Sequence, residues 1–447
     1  MTETKEKISS TQQFISDFQK NQKNLIGNKY IQDLREQAIE AFAKQGIPTR
    51  KSEEYKYSNP EKILNASLGS ITDTALNINS KTVSSFAIHS LETNTLVLIN
   101  GSFQEDLSSI SELPKGIIVC SLKTAFEKHQ DLIEQHYAKQ ANVNSDPFTA
   151  LNTAFSNDGL VLFVPDNAKV EKAFHIINIF STNQASHIYQ RNLFVIGKNS
   201  EVKIIESTIF TESIANYFLN NLSEISVAEN AKMQYYVLQN STSLSPSGRE
   251  GEGLINTTQV KQEQNSHFDT NTITLNGQWV RNNLSIVLNG QHCETHLNGL
   301  FITHDNQHID NHTLVDHQQP NCQSNQLYKG ILNDKSTGIF NGKIFVKKDA
   351  QKTNAYQSSK NILLSDDATI NTKPQLEIYA DDVKCSHGST TGQIDPDALF
   401  YLRARGLGEQ SARKLLMFAF AEDVVNTLRI ESLKEHISEL IKVRLNN

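Results

Sequence analysis

The spacing of apolar residues changes twice along the chain. Up to about residue 60 it is helical: Tyr30, Ile31, Leu34, Ala38, Ile39 and Phe42 fall on one face, and Gly46 followed by Pro48 supplies a stop. Lys51 to Tyr57 then leads into a turn at Asn59-Pro60. A second helical stretch runs from about Leu122 to Phe155, interrupted near Asn144 to Pro147. There Asp146 is placed to cap a new helix with Pro147 in its first turn. From about Leu160 to Ile378 short runs rich in Val, Ile, Thr, Phe and Tyr are broken by turn residues, which is strand patterning. At Asp395 the helical period returns, with Asp395 as N-cap, Pro396 at the first helical position and Gly406 as a stop. Two helices follow. One carries Ala412, Leu415, Leu416, Ala419, Val424 and Leu428 on or near one face; the other, from about Glu431 to Val443, carries Leu433, Ile437, Leu440 and Ile441.

The strand region contains an internal repeat. Val164-Pro165-Asp166-Asn167-Ala168-Lys169-Val170 is echoed by Ile196-Gly197-Lys198-Asn199-Ser200-Glu201-Val202 and again by Val227-Ala228-Glu229-Asn230-Ala231-Lys232-Met233. A period near thirty residues favours stacked coils over a sandwich. Asparagine tolerates the left-handed conformation that a tight corner between strands demands. A hydrophobe-Asn-Gly turn is expected at Leu275-Asn276-Gly277, Leu288-Asn289-Gly290, Leu297-Asn298-Gly299 and Phe340-Asn341-Gly342. Asn-Gly alone suits hairpins equally well, so a large antiparallel sheet is the alternative to a parallel β-helix. Asn240 to Gly253 reads as an exposed loop, and polar helices at both ends are expected to protect a solenoid's open edges.

Composition narrows the functional classes. With 38% hydrophobic and 20% charged residues in 447, a substantial core is available. The formal net charge of −7 and the absence of any Lys/Arg run argue against nucleic acid. Met1 to Gln13 lacks the apolar stretch of a signal peptide, and the longest apolar run, Leu415 to Ala421, is too short to span a bilayer. Cys120, Cys293, Cys322 and Cys385 are scattered without a CxxC pair. The expectation is reduced thiols in a cytoplasmic protein that meets no membrane.

The sharpest candidate for chemistry is Val383-Lys384-Cys385-Ser386-His387. On a strand Cys385 and His387 project side by side, and thiolate and imidazole suit iron, zinc or copper(I). Lys384, close along the chain, is expected to help hold the thiol ionised. Two ligands do not complete a site, so others must come from elsewhere in the chain or from a partner; the plainer reading is a half-buried cysteine and a surface histidine. Histidines also gather at 292, 296, 304, 308, 312 and 317. His304, His308 and His312 would share a helical face, but the surrounding pattern is strand-like, and polar positions on an outer face are the plainer reading. His292 and Cys293, adjacent, would face opposite ways. No GxxxxGK[ST] and no GxSxG occurs, and Gly248 to Gly253 is acidic where phosphate would sit. Asp381-Asp382 reads as a solvated turn. If ATP drives this protein, the ATPase is another chain.

Several segments resemble the SufB/SufD family of iron–sulfur cluster assembly proteins, on its SufD side. They are Asn371 to Gly388, with Thr391-Gly392-Gln393-Ile394-Asp395 and Leu399 to Gly406; Cys322 to Gly330; Phe340-Asn341-Gly342-Lys343; and Phe148 to Phe155 followed by Asp158-Gly159. The resemblance implies a mainly β chain: a mostly helical N-terminal domain (1–155), a right-handed parallel β-helix (156–394) and a C-terminal helical domain (395–447). It implies a scaffold rather than an enzyme, in a complex with SufB and two copies of the SufC ATPase, pairing with SufB through the β-helix and docking SufC through the C-terminal helices, around Tyr401, Arg403, Arg405 and Arg413. It implies that His387, with Cys385 as its neighbour, contributes to a nascent cluster at the SufB interface. Cluster or iron would be shared transiently with SufB and held stably by no isolated chain, which could form homodimers. SufB carries an assembly cysteine in the strand that here reads Tyr356-Gln357-Ser358-Ser359-Lys360, and it tends to have acidic residues where this chain has Cys-Ser-His. A standalone metal-binding β-helix using residues 292–317 is the alternative. A polysaccharide-active β-helix is disfavoured, because neither an export signal nor clustered acids are present.

Overall fold

The computed structural model describes residues 10–446 apart from 62, 65–77, 89, 182–183, 211–215 and 241–251. Most of the loop expected at Asn240–Gly253 lies outside the described residues, and Glu252 already opens a strand. The N-terminal helices are α1 (Ser10–Asn21), α2 (Lys29–Gln45), α3 (Ser80–Ser85), α4 (Leu122–Lys128), α5 (Gln130–His136) and α6 (Pro147–Phe155). Three strands intervene among them: β1 (Asn94–Ile99), β2 (Ser102–Ser109) and β3 (Ile118–Ser121). Next come β4 (Leu160–Val164), β5 (Phe174–Phe180), β6 (Ser186–Ile196), β7 (Glu201–Phe210), β8 (Tyr217–Val227), β9 (Lys232–Gln239), β10 (Glu252–Gln262) and β11 (His267–Thr274). The series continues with β12 (Trp279–Leu288), β13 (Glu294–Thr303), β14 (His308–His317), β15 (Gln323–Leu332), β16 (Thr337–Val346), β17 (Thr353–Leu363), β18 (Thr369–Ile378) and β19 (Val383–Gly392). The chain finishes on α7 (Pro396–Ala404), α8 (Glu409–Val425) and α9 (Glu431–Asn446).

The strands form a parallel β-solenoid. Odd-numbered strands from β5 to β19 pair in parallel in one sheet, even-numbered strands from β4 to β18 in the other, and each coil stacks in register on the last. The repeat seen in the sequence is the corner between the two sheets. Asn167, Asn199 and Asn230 have φ of 62°, 57° and 58°, and Asn265, His292, Asn321 and Lys352 continue the same left-handed column. Each N–H in the column donates to the carbonyl just before the next member, as from Asn199 to Glu229 at 3.0 Å and from Asn321 to Gln351 at 2.9 Å. The asparagine side chains stack as well: Asn199 donates to Asn167 at 2.9 Å, Asn230 to Asn199 at 2.9 Å and Asn265 to Asn230 at 3.1 Å.

Inward positions fill the lumen with Leu162, Phe194, Ile204, Ile225, Tyr235, Phe268, Ile286 and Leu297, a continuous apolar column of the kind that coil stacking requires. Two of the expected Asn-Gly turns are not turns. Asn298-Gly299 and Asn341-Gly342 lie inside β13 and β16. A Cβ at Gly299 would stand 2.2 Å from the Tyr328 ring, and one at Gly342 would stand 2.3 Å from the Gln357 amide. Glycine makes room for a large neighbour in the next coil at 299 and for one on the facing sheet at 342.

The N-terminal helices are fastened to the solenoid by buried charge. Arg191 on β6 meets Glu224 on β8 at 2.6 Å, and that carboxylate also accepts the backbone N–H groups of Ala138, Gln140 and Ala141. The same Arg191 donates to Asn152 and Thr153 on α6 and stacks on Tyr137. Asp146 caps α6 as expected, accepting from Phe148 at 2.8 Å. The C-terminal helices pack along the flank of the odd-numbered sheet. Met417, Ala421, Val424, Val425, Leu433, Ile437 and Ile441 cover Tyr236, Leu238, Ile273, Leu300, Ile302 and Ile331, while Leu415, expected on the buried face, is exposed.

The two ends of the solenoid differ. At the first coil the sheets are finished by antiparallel strands, β2 on β1 and β3 on β4. At the last coil β18 and β19 are edge strands. The C-terminal helices do not cover them, contrary to the expectation, because their apolar face is spent on the flank.

Candidate functional site at the open coil

Cys385 and His387 lie on β19, in register with Ala355 and Gln357 of β17. Ala355 and Gln357 are buried and face the lumen, whereas Asn354, Tyr356 and Ser358 alternate outward. Cys385 and His387 therefore share the lumenal face, at the coil where nothing further is stacked. Cys385 is half-buried against Ile344, Val346, Ala350 and Ala355, and His387 is exposed. Burial pushes the Cys385 thiol up, and the N–H of Ala355 only partly offsets this. Lys384 is exposed and, one residue removed, on the other side of the strand, so it does not ionise the thiol as expected. Across the open coil Ser389 donates to Thr372 of β18 at 3.0 Å, which ties the two edge strands together. Beneath His387, the buried Gln357 donates to Gln326 at 2.9 Å and its carbonyl oxygen has no partner.

Three residues after β19, Asp395 caps α7, accepting from Asp397 at 2.9 Å. No residue of α7 is buried, and Phe400 and Tyr401 are 73% and 57% exposed. Arg405 donates to the Tyr401 hydroxyl at 2.7 Å and lies over its ring, while Arg403 and Arg413 both meet Glu409 at 3.3 Å. The four residues expected to dock a partner thus lie together on α7, just after it and on the first turns of α8. Phe400 and Leu407, which the sequence reading passed over, supply apolar area between them.

The histidines between 292 and 317 do not converge. His292 occupies the corner column, and His296 pairs with Asp269 at 2.7 Å. His308 is half-buried beneath the segment Glu53–Ser58, stacked on Trp279 and hydrogen-bonded to Ser58 at 2.8 Å. His312 sits between Asp310 at 2.9 Å and Glu54 at 3.2 Å; burial alone would lower it, but the carboxylates hold it above the ordinary histidine value. His317 is fully inside the lumen, lowered to about 3 by burial. Of the six, only His317 is interior rather than on the outer face or corner. His304, Asp305 and Asp334 do approach one another, but the Arg444 guanidinium bonds His304 there and supplies the positive charge. Lys51–Tyr57, read only as a lead into a turn, is a strap: Arg281 stacks on Tyr55 and pairs with Asp310, and Lys373 on β18 reaches Glu53. Among the described residues no helix is long and apolar enough to cross a membrane.

Comparison with known proteins agrees with this architecture at both levels. Residues 8–176 match the SufBD protein N-terminal region, and residues 179–420 match the SufBD core domain of SUF system FeS cluster assembly. The chain is 30% identical over 419 residues to an iron–sulfur cluster assembly SufBD family protein of Synechocystis, covering 92% of this chain and 90% of that one. It is 31% identical over 413 residues to the iron–sulfur cluster assembly protein SufD of Escherichia coli, covering 92% of each. It is 26% identical over 447 residues to that of Bacillus subtilis, covering 98% of each. A helical N-terminal region, a coiled parallel core and an edge strand bearing Cys-Ser-His are together the frame of a chain that belongs to the SufBD family of iron–sulfur cluster assembly proteins, on its SufD-like side.

Proposed function

We propose that this chain is a non-catalytic scaffold subunit of a cytoplasmic iron–sulfur cluster assembly complex. It pairs with SufB through the edge strands of the open coil and docks the SufC ATPase through α7 and the start of α8. The cluster, or its iron, is cargo at the seam: His387 supplies one ligand, SufB supplies the others, and the isolated chain holds none stably. Cys385 is the lesser ligand, because its thiol stays protonated until the coil is disturbed. One observation carries the reading. The strand that presents Cys385 and His387 on a free edge runs, three residues later, into a helix with no buried residue and two exposed aromatics. A free sheet edge and an unpacked apolar helix are each costly to leave bare, and both are the surfaces that partners cover. Their covalent proximity means that force applied to α7 acts on β19.

The test is to co-express the chain with SufB and SufC, purify through a tag on this chain and weigh the assembly. The expected species contains one SufB and two SufC per chain, and His387→Ala assembles normally but accumulates little cluster by visible absorbance. A monomer or homodimer that ignores both partners would sink the scaffold reading; full cluster yield from His387→Ala would sink the role of that histidine alone.

A further inference from the structure

A line of polar side chains climbs the lumen toward the open coil. Gln326 on β15, Gln357 on β17 and His387 on β19 stand in register, one coil apart, and share the lumenal face. The Gln326 amide donates across the lumen to the Thr313 hydroxyl on β14 at 2.5 Å, and the Gln357 amide donates to the Gln326 oxygen at 2.9 Å. Donation therefore runs one way, from Gln357 to Gln326 to Thr313, away from the open end. An amide carries its nitrogen and oxygen on opposite sides of one carbon, so the Gln357 oxygen is turned toward β19. Gln357 is 3% exposed, and that oxygen has no partner. A buried acceptor left bare is costly and calls for a donor. The other unpartnered side-chain oxygen on β17, that of Asn361, faces away: it lies 2.7 Å from where a Cβ of Gly330 would stand, one coil beneath. On the facing sheet the column of Thr313 and Gly342 ends at Pro374, which has no N–H to offer.

We propose that Gln357 is a positioning residue for His387, fixing which ring nitrogen is free to meet the cluster. The proposal rests on the reading of His387 as a cluster ligand and adds the group that orients it. In the free chain His387 is exposed and the top rung of the ladder is open. When a partner covers the open coil, the imidazole takes that rung and donates its N–H to the Gln357 oxygen. A neutral imidazole has one N–H and one lone pair, so a fixed acceptor beneath the ring sets tautomer and ring plane together. The lone pair of the other nitrogen is then left facing the seam. Ligating histidines are commonly held in this way, by an acceptor on the ring nitrogen that the metal does not use. Gln326 and Thr313 brace the amide from below, and the space over Gly342 admits it, since a Cβ there would stand 2.3 Å from the Gln357 nitrogen. Cys385 has no such support. It stands in register with Ala355, whose side chain accepts nothing, so the ladder orients the imidazole and not the thiol.

The experiment compares three variants in the assembled complex with SufB and SufC. Gln357→Met removes the acceptor at similar volume, Gln357→Glu keeps an acceptor under the ring, and His387→Ala removes the ring. Assembly is read by mass and cluster by visible absorbance. The His387 tautomer is read before cluster loading, by nitrogen NMR of histidine labelled in this chain alone, with its signals assigned by their loss in His387→Ala. Wild type is expected to show a single tautomer. Gln357→Met should assemble at unchanged mass, show a mixture of tautomers and accumulate about tenfold less cluster, and Gln357→Glu should restore both. A fall in cluster with the single tautomer retained would overturn the proposal, because the residue would then act through packing. Full cluster from Gln357→Met beside a deficient His387→Ala would also overturn it, while the ligand reading stands. Full cluster from His387→Ala would remove the reading and the proposal together. Where Gln357→Met fails to assemble, the wild-type spectrum decides: mixed tautomers there would overturn the proposal.

Discussion

At the scale of single residues, the corner column shows how one side chain serves backbone and stacking together. An asparagine at φ near 57° escapes most of the penalty of about 1 kcal/mol or more that other residues meet there. Its amide then bonds the coils above and below, each bond contributing about 0.5 to 1 kcal/mol. Asn199→Ala should therefore cost about 1–2 kcal/mol by urea unfolding, and Asn199→Gly, which restores the backbone freedom, about half of that. Equal losses would show that the backbone conformation carries no part of it. Buried histidines give the residue scale a pH signature. His175 and His317 are each lowered to about 3 by burial. The unfolded chain, with an ordinary value of about 6.5, therefore takes the proton more readily than the fold. Their contribution is complete above that value and is lost as pH falls toward the folded one. The urea midpoint should drop between neutral pH and pH about 4, less steeply in His317→Gln; parallel profiles would remove His317 as a cause. His312 has the opposite sign, since carboxylates raise it, and its contribution declines as pH rises past the ordinary histidine value.

At the scale of elements, the sequence was most legible where local chemistry decides. The Asp146 and Asp395 caps, the stops at Gly46 and Gly406 and the asparagine corners are all fixed by neighbours a few residues away. Reading failed where a distant coil decides. Gly299 and Gly342 imitate hairpin turns, yet they answer to Tyr328, one coil later, and Gln357, across the lumen on the facing strand. The corner repeat faded from view once His292 and Lys352 took the place of asparagine, although both obey the same coil period. The strands β1 to β3 were passed over because they fall between the two helical stretches, where no period was read. For the candidate site, the shared face of Cys385 and His387 was legible from alternation alone. The strap of Glu53–Ser58 over His312 and Asp310 was not, since those partners are hundreds of residues apart in sequence. Exposure of α7 also gives a prediction at this scale. Phe400→Ser removes an aromatic that touches little, so the unfolding midpoint of the isolated chain should stay within experimental error. Co-purification with SufC should nevertheless fall by tenfold or about 1.4 kcal/mol. Unchanged co-purification would move docking off this helix.

At the scale of the whole molecule, stability is distributed along the stack. A coil with neighbours on both sides has two interfaces, and a terminal coil has one, so opening should begin at the end that lacks a partner. Amide exchange is expected to be fastest in β18 and β19 and slowest in β8 to β13, where the lumen is filled and the Arg191–Glu224 pair anchors the helices. Pairing with SufB should slow β18 and β19 selectively. Protection that appears elsewhere, with those strands still exchanging, would place the interface on another surface.

The asymmetry of the two ends has a consequence for growth. The first coil finishes on strands that run against the stack, and the last on strands that run with it. A fibre grows when one end continues into the other as the next coil would. Here it does not, because a coil laid on β18 and β19 would run with them whereas β2 and β3 are reversed, so repetition of this chain does not extend its own solenoid.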